Sequence, residues 1–144
     1  MKDSLLDVSV LFALVYEGHA RHQDVRDWFA LSGNRVWATC AHTQMSVIRL
    51  LSSNFAADLN LTPAVAAAFL RSACSHPRHV YWHQPISPSC SETFDWALVG
   101  GRSQLPDLYL LALAVVNDGV LVTLDRKINP GAVRNALPSH LLVL

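Results

Sequence analysis

Aspartates at positions 7, 107 and 125 have the side-chain type needed to gather a hard cation or to manage a proton. Each lies in or beside an apolar run: LLDVSVL near the amino end, PDLYLLALA in the last third, and VLVTLD near the carboxyl end. Hard divalent cations such as Mg²⁺ take oxygen ligands, retain several waters, and are commonly held by only one or two carboxylates together with substrate phosphates. Three aspartates drawn together would therefore suffice as an acidic pocket. A cation held there acidifies a water, orients a phosphodiester and neutralises charge on the attacking and leaving oxygens. It also relieves the mutual repulsion of crowded carboxylates. Asp7 is the most telling of the three, because apolar residues flank it on both sides and burying an unpaired charge is costly. Asp107 and Asp125 have plainer readings as well. The first suits the opening turn of a helix, where the dipole favours an acid by ~0.3 to 1 kcal/mol; the second suits a turn ahead of Arg126 and Lys127.

To bring these residues together the chain needs elements that end at one place. Short apolar runs read as buried parallel strands, and the carboxyl ends of such strands are where open α/β sheets bind ligands. Leu5 to Leu11 predicts a first strand, with Glu17-Gly18-His19 as a turn behind it. Val25, Trp28 and Phe29 recur at helical spacing within Arg21 to Ala30; Arg35 to Cys40 reads as a second strand and Thr43 to Leu51 as a core-facing helix. Thr62 suits the cap, and Pro63 the first position, of a helix reaching about Ala73. Val80 to Trp82 predicts a third strand, and Ser89-x-x-Glu92 a capping box for a helix ending near Gly100-Gly101. Pro106 opens a helix from Asp107 to about Asn117 that is apolar nearly all round, and Asp118-Gly119 closes it. Val120 to Leu124 reads as a fourth strand and His140 to Leu144 as a fifth at an edge. Alternation of this kind predicts one α/β domain over 1–144, with a mainly parallel sheet of four or five strands between helical layers.

Composition narrows the functional classes. Eleven basic and eleven acidic residues balance, so net charge gives no argument for a nucleic acid or an anionic membrane as partner. Cys40, Cys74 and Cys90 are odd in number and lack C-x-x-C spacing, which argues against a zinc ribbon or disulfide framework and for a reducing cytosol. Asp3 and Asp7 fall where a secretory signal would need an unbroken apolar core. The longest apolar stretch, Leu108 to Val116, is far short of the ~20 residues that cross a bilayer, so no membrane span is expected. With only 15% charged residues and positive mean hydropathy, part of the surface is expected to be covered by another protein or subunit.

Four segments in order, LLDVSVL, TQMSVIRL from Thr43 to Leu50, PDLYLLALA and LVTLD, resemble PIN-domain ribonucleases of the VapC toxin type. The corresponding family segments read approximately LLDxNVL, TExxxxR, TDAYLAALA and LATxD, and the likeness spans essentially the whole chain. The resemblance implies a three-layer α/β/α fold. It also implies that Asp7, Asp107 and Asp125 bind Mg²⁺ or Mn²⁺ and support hydrolysis of RNA phosphodiesters. Thr123 matches the small hydroxyl residue two before the last aspartate, and Arg49 a basic position that pairs with an acid or approaches phosphate. Relatives of this type are dimeric and inhibited by a small cognate antitoxin encoded beside them. Three departures stand out. Gln44 replaces a common glutamate, which removes a charge and implies weaker metal binding. Ser9 replaces asparagine and Pro106 replaces threonine, changes that bear on hydrogen bonds around Asp7 and Asp107.

Two other readings remain open on sequence grounds. One is a PIN-fold protein that has lost catalysis through Gln44 yet still engages RNA or an antitoxin. The other is a receiver-like phosphoacceptor, which lacks the expected acid pair after the first strand and a suitably placed lysine. His19, His22 and His42 suggest zinc ligands or general bases only weakly, having no matched second ligand pair. The four tryptophans read as core or interface aromatics.

Overall fold

A computed structural model describes residues 1–144. Five strands, β1 (Ser4–Leu6), β2 (Trp37–Cys40), β3 (His79–Trp82), β4 (Val120–Thr123) and β5 (Leu141–Val143), form one sheet in the order β3-β2-β1-β4-β5 with every pairing parallel. Alternate side chains of the central strands serve opposite faces, as the period of two requires. Leu5 and Leu121 join the core beneath α5 (Leu105–Val116), while Leu6 and Val122 join the core shared by α1 (Val8–Val15), α2 (His22–Leu31), α3 (Ala41–Leu51) and α4 (Pro63–Ala73). The result is the three-layer α/β/α arrangement with the fifth strand at an edge.

Two predicted elements differ from the structure. The first strand does not run to Leu11: it stops at Leu6, and residues from Val8 onward form α1. Asp7 makes the break, its carboxylate accepting the Val8 N–H at 2.6 Å and its carbonyl accepting the Leu11 N–H at 2.8 Å. Local β-propensity of Val8 and Val10 loses to that cap and to burial of Val10, Leu11, Phe12 and Ala13. Nor is there an α-helix between Ser89 and Gly100. Turns and a single 3₁₀ turn at Trp96–Leu98 occupy the segment, and Asp95, not Glu92, caps that turn. Only Phe94 there is buried, bridged to Val133 and stacked on Trp96. One anchoring aromatic without a periodic apolar stripe cannot hold a helix against the core. The helix opened by Thr62 and Pro63 forms over Pro63–Ala73, with Thr62 accepting the Val65 N–H. No helix is long and apolar enough to cross a membrane.

The sheet order reverses between β1 and β4. Chain segments leaving β1 run outward through β2 and β3 on one side, while β4 and β5 lie on the other. Crevices at the carboxyl edge of such a switch point are the usual ligand sites of open α/β sheets.

Candidate active site

Asp7 follows β1, Asp125 follows β4, and Asp107 lies in the first turn of α5, so all three stand at the carboxyl edge beside the switch point. Asp7 is almost fully buried, at 3% exposure. Its carboxylate is oriented by three donors. Val8 N–H reaches Oδ1, and the hydroxyls of Thr123 (2.6 Å) and Ser9 (3.3 Å) reach Oδ2. The hydroxyls can only point one way. Thr123 Oγ1 accepts the Asp125 N–H at 3.0 Å and Ser9 Oγ accepts the Leu124 N–H at 3.3 Å, which leaves their hydrogens for Asp7. One lone-pair direction of a carboxylate's four then stays open.

The electrostatics of the cluster are strained. Burial pushes the Asp7 pKa up against the pull of Thr123, Val8 and Ser9, and the charge of Asp125 adds to the rise. The Asp107 carboxyl is pushed up to about 7, by burial first, then by the charges of Asp7 and Asp125 and by a hydrogen bond to Asp125. A helix amino terminus should lower an acid's pKa, so the neighbouring carboxylates outweigh the dipole. The three aspartates therefore act on one another electrostatically, each negative charge making the next harder to form. They do not close a ready-made cage, since no three carboxylate, histidine or cysteine side chains converge tightly enough to enclose an ion. An open, half-formed oxygen site suits Mg²⁺ or Mn²⁺, which keep waters and accept substrate phosphate oxygens as ligands. Asp125 also makes the turn its position suggested, its Oδ1 accepting the Lys127 N–H at 2.8 Å.

Gln44 is not brought to the aspartates. Its side-chain amide donates to Thr39 Oγ1 at 2.8 Å and approaches Cys74 Sγ, within a polar cluster that His79 completes through Thr39. That bond ties the Gln44 side chain to Thr39 on β2, a contact a carboxylate would make only by accepting from the threonine hydroxyl. Arg49 is exposed and forms no ion pair, which corrects the acid-pairing reading. His19 and His22 are spent on the backbone, of Arg21 and of Ala13 respectively. His42, only a weak ligand or base candidate in the sequence, stands at the start of α3 within electrostatic reach of both Asp7 and Arg49. Only the β2 end to which it is attached, read together with Asp7 at the β1 end, could have signalled this. A cleft of about 690 Å³ adjoins the amino end of β2, and none of the three aspartates lines it.

An open parallel sheet with acidic residues gathered at its switch point places the chain among α/β domains whose ligand site lies at the carboxyl edge of the sheet. The chain matches the PIN domain family over residues 4–130. It is 36% identical over 143 residues to Ribonuclease VapC44 of Mycobacterium tuberculosis, covering 98% of this chain and 99% of that protein. Ribonuclease VapC39 of the same organism is 32% identical over 122 residues, covering 85% and 88% respectively. The crystal structure of M. tuberculosis VapC20, described as a Sarcin-Ricin loop cleaving toxin, superposes with a TM-score of 0.60 at 16% identity, covering 81% of this chain and 85% of that one. The chain belongs to the PIN-domain family and, within it, to the VapC ribonucleases.

Proposed function

We propose that this protein is a divalent-metal-dependent endoribonuclease, the toxin of a toxin–antitoxin pair, with Asp7, Asp107 and Asp125 as its metal-holding and catalytic residues. The observation that carries the reading is the gathering of Asp7, Asp107 and Asp125 at the carboxyl edge of the sheet, in a chain that matches the PIN family over residues 4–130. When bound, Mg²⁺ or Mn²⁺ supplies a more acidic water and neutralises charge on the phosphoryl oxygens. The chain's own residues do the positioning. Thr123 and Ser9 hold Asp7 in place, Asp107 is hydrogen-bonded to Asp125 within electrostatic reach of it, and exposed Arg49 offers a guanidinium to RNA phosphate. Incubation of the purified protein with RNA in Mn²⁺ or Mg²⁺ tests the proposal. Cleavage that EDTA stops is expected; cleavage indifferent to EDTA, or none with either metal, overturns it.

Partner proteins fit the surface as well. Met45, Phe55, Val65 and Phe69 stay exposed on α3, α4 and the segment between them, which supports a small antitoxin and a second copy of the chain as covering partners. A cytoplasmic setting follows from the RNA substrate.

Thr123→Val should lower cleavage by about ten- to a hundredfold, the usual cost of removing a residue that orients a ligating group. Val keeps the volume but leaves Asp7 Oδ2 and the Asp125 N–H without their shared partner. Retained activity in an oligonucleotide cleavage assay would show that Asp7 needs no such support.

The diverted Gln44 favours a second reading, a PIN protein with weakened metal binding. Gln44→Glu cannot donate to Thr39 and restores a fourth charge, so it should tighten Mn²⁺ binding by about tenfold. Isothermal titration calorimetry measures this, and an unchanged affinity would exclude Gln44 as the weak point.

A further inference from the structure

Beside the acid cluster lies an open cavity of about 510 Å³, with His42, Gln84, Trp96, Leu105, Pro106 and Tyr109 among its walls. Its position follows from the fold. His42 leaves the carboxyl end of β2, Gln84 leaves that of β3, and Leu105, Pro106 and Tyr109 bracket Asp107 on α5. A strand of RNA with its phosphate at the aspartates would thus have this cavity directly alongside.

The polar ends of the wall residues are already occupied. Trp96 Nε1 donates to the Pro88 carbonyl at 2.9 Å while its ring stacks on Phe94 at 4.3 Å, and the Tyr109 hydroxyl donates to the Ile86 carbonyl at 2.8 Å. Gln84 Oε1 accepts the backbone N–H of His42 at 2.7 Å, fixing the start of α3 against the β3 loop. What remains is a pair of rings held by fixed hydrogen bonds, a Leu105–Pro106 ledge, the Gln84 amide nitrogen beside the Tyr109 hydroxyl, and one half-buried imidazole with no hydrogen bond from its nitrogens. Flat apolar walls with a narrow polar edge suit a planar heteroaromatic group. In RNA that group is an unpaired base, and single-stranded RNA is read by splayed bases set against aromatic side chains and hydrogen-bonded along their edges.

We propose that this cavity receives the base next to the scissile phosphodiester, with Trp96, Tyr109 and the Leu105–Pro106 ledge enclosing it and His42 bonding its edge. His42 is then a specificity-determining residue, and Trp96 serves a ligand as well as the core. The occupant rests on the endoribonuclease reading, so the test has two arms. In the first, cleavage sites in a randomised RNA pool are sequenced for the wild type, His42→Phe and His42→Gln. The wild type is expected to show a base preference beside the cut. His42→Phe, which keeps a ring but loses both nitrogens, should flatten it by about tenfold, and His42→Gln, which regains a donor and an acceptor, should recover part of it. In the second arm, AMP, GMP, CMP and UMP are titrated into the metal-free protein by NMR, with ribose 5-phosphate as control. Base-dependent shifts at His42, the Trp96 indole N–H and Tyr109 are expected. A preference that survives His42→Phe, or nucleotide shifts that avoid the cavity, overturns the inference while leaving a cleaving enzyme a ribonuclease. If the wild type cleaves nothing, the ribonuclease reading falls and the NMR arm alone decides whether the cavity binds a base.

Discussion

Asp7→Asn should reduce RNA cleavage by on the order of 10³-fold or more while leaving the fold intact, because it removes the one carboxylate fixed by three hydrogen bonds and needed to hold the cation. Asparagine is as good a helix cap as aspartate, so α1 keeps its start. Its amide Nδ2 would bring hydrogens toward either the Val8 N–H or the Thr123 and Ser9 hydroxyls, breaking the one-way arrangement that now points every donor at Asp7. The loss should therefore be larger than removal of a charge alone would cause. A fluorescent oligonucleotide assay in Mn²⁺, run with circular dichroism as the folding control, measures it. A folded Asp7→Asn protein that cleaves within about tenfold of wild type would remove Asp7 from the chemistry and the proposed site with it.

The second large effect is on stability and has the opposite sign. Asp107 titrates near 7 in the folded chain against an ordinary value of 3.8, and Asp7 is shifted in the same direction. Below about pH 4 both folded and unfolded chains hold these protons, and the cluster costs nothing. As pH rises from about 4 to about 7 the unfolded chain releases the Asp107 proton while the folded chain retains it, so the metal-free protein loses stability across that window, and the raised Asp7 acts in the same direction. Above it the penalty stays constant. Asp107→Asn removes the largest resolved contribution, so at pH 7.5 it should raise the metal-free Tm by a few degrees, the scale expected for a change of about 1 kcal/mol in a domain of this size. It should also flatten the fall between pH 4 and 7. Asp118, held low mainly by Lys2, has the reverse dependence, so wild type and variant are compared at each pH. Mn²⁺ should raise the wild-type Tm at pH 7.5 and leave Asp107→Asn nearly unmoved. Parallel melting curves for the two proteins at every pH would mean the three carboxylates do not act on one another.

Both predictions express one trade. Crowded carboxylates destabilise the metal-free fold, and on the proposed function that same crowding favours a bound cation. The hydrogen bonds from Thr123 and Ser9 to Asp7 keep the arrangement from relaxing outward.

How much of this was legible in the residues differs from element to element. The Thr62-Pro63 start of α4 is a local device, a hydroxyl three residues from the N–H it caps, and it forms as read. The all-round apolar α5 likewise announces its burial, and its six buried residues bear that out. The first strand ends sooner than its residues suggest because Val8 and Val10 favour strands locally, whereas the Asp7 cap and the core decide for helix. The Ser89–Glu92 motif failed for a related reason: a capping pattern stabilises a helix only where an apolar face follows it.

The chain by itself determined most of the alternation of strands and helices, the parallel sheet and which three aspartates were candidates, since each depends on side chains within a few positions of one another. Only the tertiary structure decided that Thr123, 116 residues from Asp7, orients its carboxylate, that Gln44 is drawn off to Thr39, and that His42 stands beside the acids. Local propensity acts over a turn or a strand, whereas hydrogen-bond partners and electric fields are set by distance in space, and folding alone converts one into the other.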